Sequence, residues 1–140
     1  MTLTSKGPIL EMGCGDYSTP ILAMLASVMD RQFLVQASNE EWASRFMEEV
    51  DLQLVDWTVW EPPKSSQEDG RWGLVFLDSE EAVRDRIKRL PALSAICDVV
   101  VMHDANVARK NPDWNDCIRD YKEVRFYHRH VPWTAVLLPK

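Results

Sequence analysis

The fold turns on the stretch Pro8-Ile9-Leu10-Glu11-Met12-Gly13-Cys14-Gly15-Asp16-Tyr17-Ser18-Thr19-Pro20. Ile9, Leu10 and Met12 read as a short buried strand. Gly13 and Gly15 permit a tight turn and let the backbone approach a ligand with no Cβ in between. Thr19 is a suitable helix N-cap, and Pro20 suits the first helical position, where a missing N–H costs nothing. A strand, a Gly-x-Gly turn and a capped helix in that order build a nucleotide-type site at a strand's carboxyl end in open α/β sheets. Two glycines in such a turn are common, so the rest of the chain has to carry the assignment.

It does so by alternation. Ile21, Leu22, Met24, Leu25, Val28 and Met29 form an apolar helical stripe, followed by a strand over 33–35. Asn39-Glu40-Glu41-Trp42 opens a second helix, with acids in its first turn and Trp42, Phe46 and Met47 on one face. A third strand over 52–55 ends at Asp56, and residues 61–70 are a polar, proline-containing loop. A fourth strand over 72–77 ends at Asp78-Ser79, either of which can cap the charged amphipathic helix over 80–90 that Pro91 closes. A fifth strand over 98–102 ends at His103-Asp104, and a weaker helix follows over 113–121. Strands over 124–127 and 133–138 finish the pattern, joined by a link too short for a parallel crossover and therefore antiparallel. The class is α/β, with a mostly parallel sheet covered on both faces.

Bulk properties narrow the function. The chain has 140 residues, 46% of them hydrophobic and 27% charged, which fits one domain over 1–140. A net charge of -6 disfavours a broad nucleic-acid backbone site. No apolar run approaches the roughly 18 residues of a membrane helix, and Met1-Thr2-Leu3-Thr4-Ser5-Lys6 is not a signal sequence, so the expected location is cytoplasmic. Cys14, Cys97 and Cys117 are odd in number and widely spaced, which argues against a disulfide framework or a cysteine-rich metal site. His128 and His130, beside the closing turn, read as surface residues.

Polar residues stand at nearly every predicted strand end: Glu11 and Asp16, Ser38 and Asn39, Asp56, Asp78, and His103 with Asp104. Singly, each is explained by solvent or by helix capping. Together they mark one rim of the sheet. The order Glu-x-Gly-x-Gly-x-x-Ser-Thr, Asn-Glu-Glu-Trp, Asp-Trp, Leu-Asp-Ser and His-Asp resembles the class I S-adenosylmethionine-dependent methyltransferases, most of all small methyltransferase-like proteins whose fifth strand ends in His-Asp. The resemblance implies a Rossmann-like doubly wound sheet of seven strands in the order 3-2-1-4-5-7-6 with an antiparallel last strand. It also implies S-adenosylmethionine as cofactor, with Glu11, Gly13, Cys14, Gly15, Ser38, Asp56 and Asp78 around it. Ala37 stands where such proteins place the second-strand acid that holds the ribose hydroxyls, leaving Ser38 or Glu40 as substitutes.

Methyl transfer needs alignment of nucleophile and methyl carbon and sometimes removal of a proton. Asp78, His103 and Asp104 are the candidate catalytic residues, histidine being the side-chain type that exchanges protons near neutrality. No metal is expected, because adjacent His and Asp side chains on an extended backbone point apart. Three readings stay open. One is a methyltransferase acting on O or N of a small-molecule acceptor. Another is a catalytically degenerate relative that binds a ligand or a protein. The third is an α/β enzyme of other chemistry on the same rim. The substrate-covering segments usual in such methyltransferases are not legible, and Trp60, Trp72 and Trp114 fall in or beside loops. A homodimer that covers these aromatics and helps close the rim is the expected assembly.

Overall fold

The computed structural model describes residues 6–46, 48 and 50–140. Its strands are β1 (Ile9–Met12), β2 (Phe33–Ala37), β3 (Asp51–Leu54), β4 (Leu74–Leu77), β5 (Val100–His103), β6 (Tyr121–Tyr127) and β7 (Thr134–Pro139). They form one sheet in the order β3-β2-β1-β4-β5-β7-β6. The first five strands pair in parallel, and β7 runs antiparallel to both β5 and β6. This is the expected topology. Among the described residues no helix is long and apolar enough to cross a membrane.

Helices α1 (Ser18–Val28) and α2 (Glu40–Ala43) follow β1 and β2. Helices α3 (Val83–Arg86) and α4 (Leu90–Ile96) follow β4, and α5 (Ala105–Ala108) and α6 (Trp114–Cys117) follow β5. The larger core lies on the α3–α6 side, where Leu10, Met12, Val75, Leu77, Val100, Met102 and Leu137 are all completely buried. The smaller core joins α1, through Leu22 and Ala26, to Ile9, Phe33 and Val35. Asn39 caps α2 as its sequence proposes, its side chain accepting from the Trp42 N–H at 2.9 Å. The rings of Trp42 and Phe46 meet edge to face; Met47 lies outside the described residues.

Several local expectations are corrected. Helix α1 starts at Ser18, with Tyr17 as its cap residue, so Thr19 is not the N-cap; its Oγ1 instead accepts the Gly15 N–H at 2.9 Å. Of the predicted stripe on α1 only Leu22 is buried, together with Thr19 and Ala26. Pro91 does not close a helix: it occupies the first turn of α4, where proline is tolerated. Neither Asp78 nor Ser79 caps α3, whose N-cap is Ala82. Residues 61–70 form no helix, but they are tied down: Trp72 Nε1 donates to the Pro63 carbonyl at 2.7 Å and Ser65 Oγ to the Arg71 carbonyl at 2.5 Å. The tryptophans are not exposed. Trp72 is fully buried and Trp57 and Trp114 nearly so, while Trp42, Trp60 and Trp133 are half-buried.

The two glycines of the first turn have different physical duties. Gly13 has φ of 90°, and a Cβ there would lie 2.2 Å from the Asp78 carbonyl oxygen. Its need for glycine comes from the chain itself, not from a ligand. A Cβ on Gly15 would meet only Ser18 Oγ, at 3.2 Å. Gly13→Ala is expected to destabilise the fold by about 2 kcal/mol or more, and Gly15→Ala by about 1 kcal/mol or less. Chemical denaturation of the two variants checks this; equal losses would refute the distinction.

Candidate functional site

The rim at the carboxyl ends of β1, β4 and β5 collects the predicted residues in two groups. The first is the β1 turn. Glu11, on a central strand, is completely buried, and its Oε1 accepts from Ser18 Oγ at 2.5 Å. Its Oε2 is buried with no partner. Burial pushes the Glu11 carboxyl up from 4.5 to about 7, against the Ser18 and Thr19 hydroxyls, which lower it. Cys14 beside it is half-buried, and burial raises its thiol to about 11, so it is no ready thiolate. Its carbonyl accepts the Trp42 indole N–H at 3.0 Å, fixing the turn to α2.

The second group is Asp78, His103 and Asp104. The extended-backbone expectation for the last two is corrected. Asp104 adopts a left-handed conformation, φ 59° and ψ 30°, which breaks the alternation of the strand. His103 Nδ1 then lies 3.5 Å from Asp78 Oδ1 and 3.5 Å from Asp104 Oδ1. One potential ligand atom from each residue lies within 4.8 Å of the others, a spacing that could accept a metal ion.

Sequence reasoning missed the residue that binds this group together. Arg86 is almost entirely buried, and its Nη1 lies 3.2 Å from Asp78 Oδ1 and 3.1 Å from Asp104 Oδ2. Its Nη2 donates to the Ser79 carbonyl at 2.7 Å. The guanidinium offsets charge that a cation would otherwise offset. Asp78 is pushed above the usual carboxylate range by burial, with Arg86 and His103 opposing. The signal was present: Arg86 stands between Val83 and Leu90 at helical spacing on the inward face, yet a charged helix invites reading every charge as solvated.

A cavity of about 430 Å³ opens beside both groups, lined by Gly15, Tyr17, Ile21, Phe76, Asp78 and His103 among others. It is mostly apolar, with the acid–histidine pair at one wall. The remaining predicted residues lie farther along the rim. Ala37 is the last residue of β2 and is fully buried. Ser38 Oγ lies 3.3 Å from Glu80 Oε2, and Trp57 Nε1 donates to the same oxygen at 2.6 Å. Glu80 thus reaches from the β4 end to the β2 and β3 ends, a carboxylate no motif disclosed. Asp56 is exposed and caps the turn Trp57–Val59, and the Thr58 hydroxyl and N–H hold its carboxyl below the usual range. His128 and His130 are exposed, as expected.

No family model and no curated protein matches the sequence. Solved structures do match. Over 99% of this chain and 69% of the other, the fold is similar to a Methanococcus jannaschii fibrillarin pre-rRNA processing protein, with a TM-score of 0.61 at 9% identity. A Podospora anserina methyltransferase with S-adenosylhomocysteine bound matches at 0.60 and 13% identity, over 95% of this chain and 71% of that one. Human N-acetylserotonin methyltransferase, in complex with S-adenosylmethionine, matches at 0.57 and 14% identity, over 97% of this chain and 48% of that one. With its seven strands in the order 3-2-1-4-5-7-6 and these neighbours, the chain has the class I S-adenosylmethionine-dependent methyltransferase fold.

Proposed function

We propose that this protein is a methyltransferase that binds S-adenosylmethionine at the Glu11–Gly15 turn and methylates O or N of a small-molecule acceptor. The observation that carries the proposal is the buried, partnerless Oε2 of Glu11, whose other oxygen is held by Ser18, a residue that lines a cavity with Asp78 and His103. A carboxylate oxygen with an unused lone pair fits the ammonium of the cofactor's methionine end. Ser38 and Glu80 offer oxygens for its nucleoside end, in place of the acid that Ala37 lacks. Bound there, the cofactor would supply an electrophilic methyl carbon on a positively charged sulfur.

The chain's own residues do the rest. Tyr17, Ile21 and Phe76 offer the acceptor an apolar bed. The carboxylates facing His103 Nδ1 favour a proton on that nitrogen, leaving Nε2 to take a proton from an acceptor hydroxyl or amine. Arg86 fixes both carboxylates and so positions the imidazole. A non-catalytic binding module is the second reading, and Ala37 with Glu80 already hydrogen-bonded to Ser38 and Trp57 favours it. Titration calorimetry with S-adenosylhomocysteine separates the two. Binding supports the enzyme; no binding leaves the module.

Two outcomes are expected if the first reading holds. His103→Ala should lower methyl transfer to a responsive hydroxylated acceptor by about 100-fold or more while leaving S-adenosylhomocysteine affinity within about twofold. Parallel loss of both would place His103 in binding rather than proton transfer. Glu11→Gln should weaken S-adenosylhomocysteine binding at least about tenfold, and unchanged affinity would remove the ligand from this turn. The same variant tests the pH dependence. The folded chain keeps the Glu11 proton up to about 7, whereas the unfolded chain releases it near 4.5. Stability from the neutral carboxyl is full below the lower value and is lost as pH rises through the upper one, by about 3 kcal/mol in all. Glu11→Gln should flatten this slope in denaturation midpoints taken between pH 4 and 8.5.

A further inference from the structure

Among the described residues Glu11 is the only buried acid, and it is buried completely. The residues in register with it on the neighbouring strands are Val35 of β2 and Phe76 of β4, and neither offers a polar side chain. Ile9, two residues before it, packs in the core beneath α1, so strand alternation turns Glu11 to the same face. There it meets α1 at Ser18, whose hydroxyl donates to Oε1. Oε2 meets no partner.

Both forms of this carboxyl are incomplete. The ionised form is a buried charge with one hydroxyl donor on one of its two oxygens. The neutral form removes the charge but still leaves Oε2 unpaired. Burying the charge costs more than burying the neutral group, so the proton stays on up to about 7. No ion pair to Glu11 forms among the described residues to reverse this. Helix α1 brings the Ser18 and Thr19 hydroxyls and no charged residue, and β2 brings none either. In the turn, Cys14 is a neutral thiol, and Asp16 is paired with Arg45 at 2.8 Å. At the end of β4, Asp78 adds negative charge that tightens the hold on the Glu11 proton, while Arg86 and His103 face Asp78. The surroundings thus lack a cation and hold an acid that wants one.

We propose that Glu11 makes cofactor binding a proton exchange, in which the ammonium of the cofactor's methionine end takes its place against Oε2 as the carboxyl proton leaves to solvent. The inference rests on the reading of the Glu11–Gly15 turn as the cofactor site and adds a control on when that site fills. One O–H bond breaks and its proton goes to water. The ammonium keeps its three N–H bonds and donates one of them to Oε2. A neutral acid and a free cation become a buried ion pair with no net charge, so no lone charge is left in the apolar surroundings. A ligand without that ammonium leaves the proton where it is. The sign follows. Below the titration of Glu11 in the free chain, each pH unit of acidification costs about tenfold in affinity, and above it the cost vanishes. Methyl transfer by this chain is then turned down by acid at the loading step, before any chemistry at His103.

Titration calorimetry of the full chain with S-adenosylhomocysteine between pH 5.5 and 7.0, in two buffers of different ionisation heat, tests this. The expected result is an affinity that rises at least about tenfold across the range, with about 0.9 of a proton released per ligand at pH 6.0. Glu11→Gln should bind with an affinity indifferent to pH. His103→Ala should keep the slope of the parent chain, which separates Glu11 from the residue type that commonly titrates near neutrality. Where Glu11→Gln binds too weakly to measure, carbon-13 resonances of the side-chain carboxyls of the parent chain give the answer, the signal missing from the variant being that of Glu11. Its midpoint should lie near 7 in the free chain, and with S-adenosylhomocysteine bound it should stay ionised from pH 7.0 down to 5.5. An affinity flat with pH and no proton release overturns the exchange while leaving the cofactor site in place. A Glu11 midpoint below about 5 in the free chain, or one that the ligand does not move, overturns it as well. A slope lost in His103→Ala but kept in Glu11→Gln assigns the proton to His103 instead. No binding of S-adenosylhomocysteine at any pH removes the cofactor reading itself, and the exchange with it.

Discussion

The approach of two backbones, at Gly13 and at the Asp78 carbonyl, is the constraint on which the rest depends. No Cβ fits between them. That contact lets the turn after β1 lie against the turn after β4, so the end of a central strand meets the end of its neighbour. Glu11 and Asp78 are brought close enough that the charge of one raises the proton affinity of the other. A bulkier residue at position 13 would part the turns and, with them, the two halves of the rim.

Arg86 does for the second half what Gly13 does for the first. A buried guanidinium among two carboxylates and a carbonyl is stable only because nearly every hydrogen-bonding direction is used; Nε is the exception. It links the α3 segment to the ends of β4 and β5, and it holds Asp104 where the left-handed backbone has turned it. The cavity wall is therefore preorganised by a charge network, at the cost of desolvating its members. The opposite wall, built from α1, is apolar and unpartnered. One wall gives chemistry, and the other gives surface.

The division of the two cores explains that contrast. The α3–α6 side of the sheet is filled by large side chains at complete burial, Trp72 among them. The α1 side has one long helix and a short second one, and only Ile9, Leu22, Ala26, Phe33 and Val35 form its buried centre. Helix α1 carries exposed Ile21, Met24, Leu25 and Val28 as well as buried Leu22 and Ala26, more hydrophobic surface than one sheet face can take.

Strand direction was legible in the sequence, because glycine turns, apolar runs and polar strand ends repeat with the period of βαβ units and the final short link forbids a parallel crossover, whereas strand order came only with the family resemblance that the strand-end motifs carry. Glu11, Asp78, His103 and Asp104 were legible as strand-end residues for the same reason. Their convergence was only half legible. The left-handed turn at Asp104 reverses a side chain that strand alternation would send away, and alternation is a rule of extended backbone alone. Arg86 and Glu80 came from segments whose charges read as solvated, and only the packed chain shows that Arg86 is buried and that exposed Glu80 accepts from Ser38 and Trp57. Burial decided the tryptophans and the α1 stripe as well. Periodicity tells which residues share a face, but whether that face meets the sheet, water or another chain depends on elements distant in sequence, and this only the tertiary structure decides.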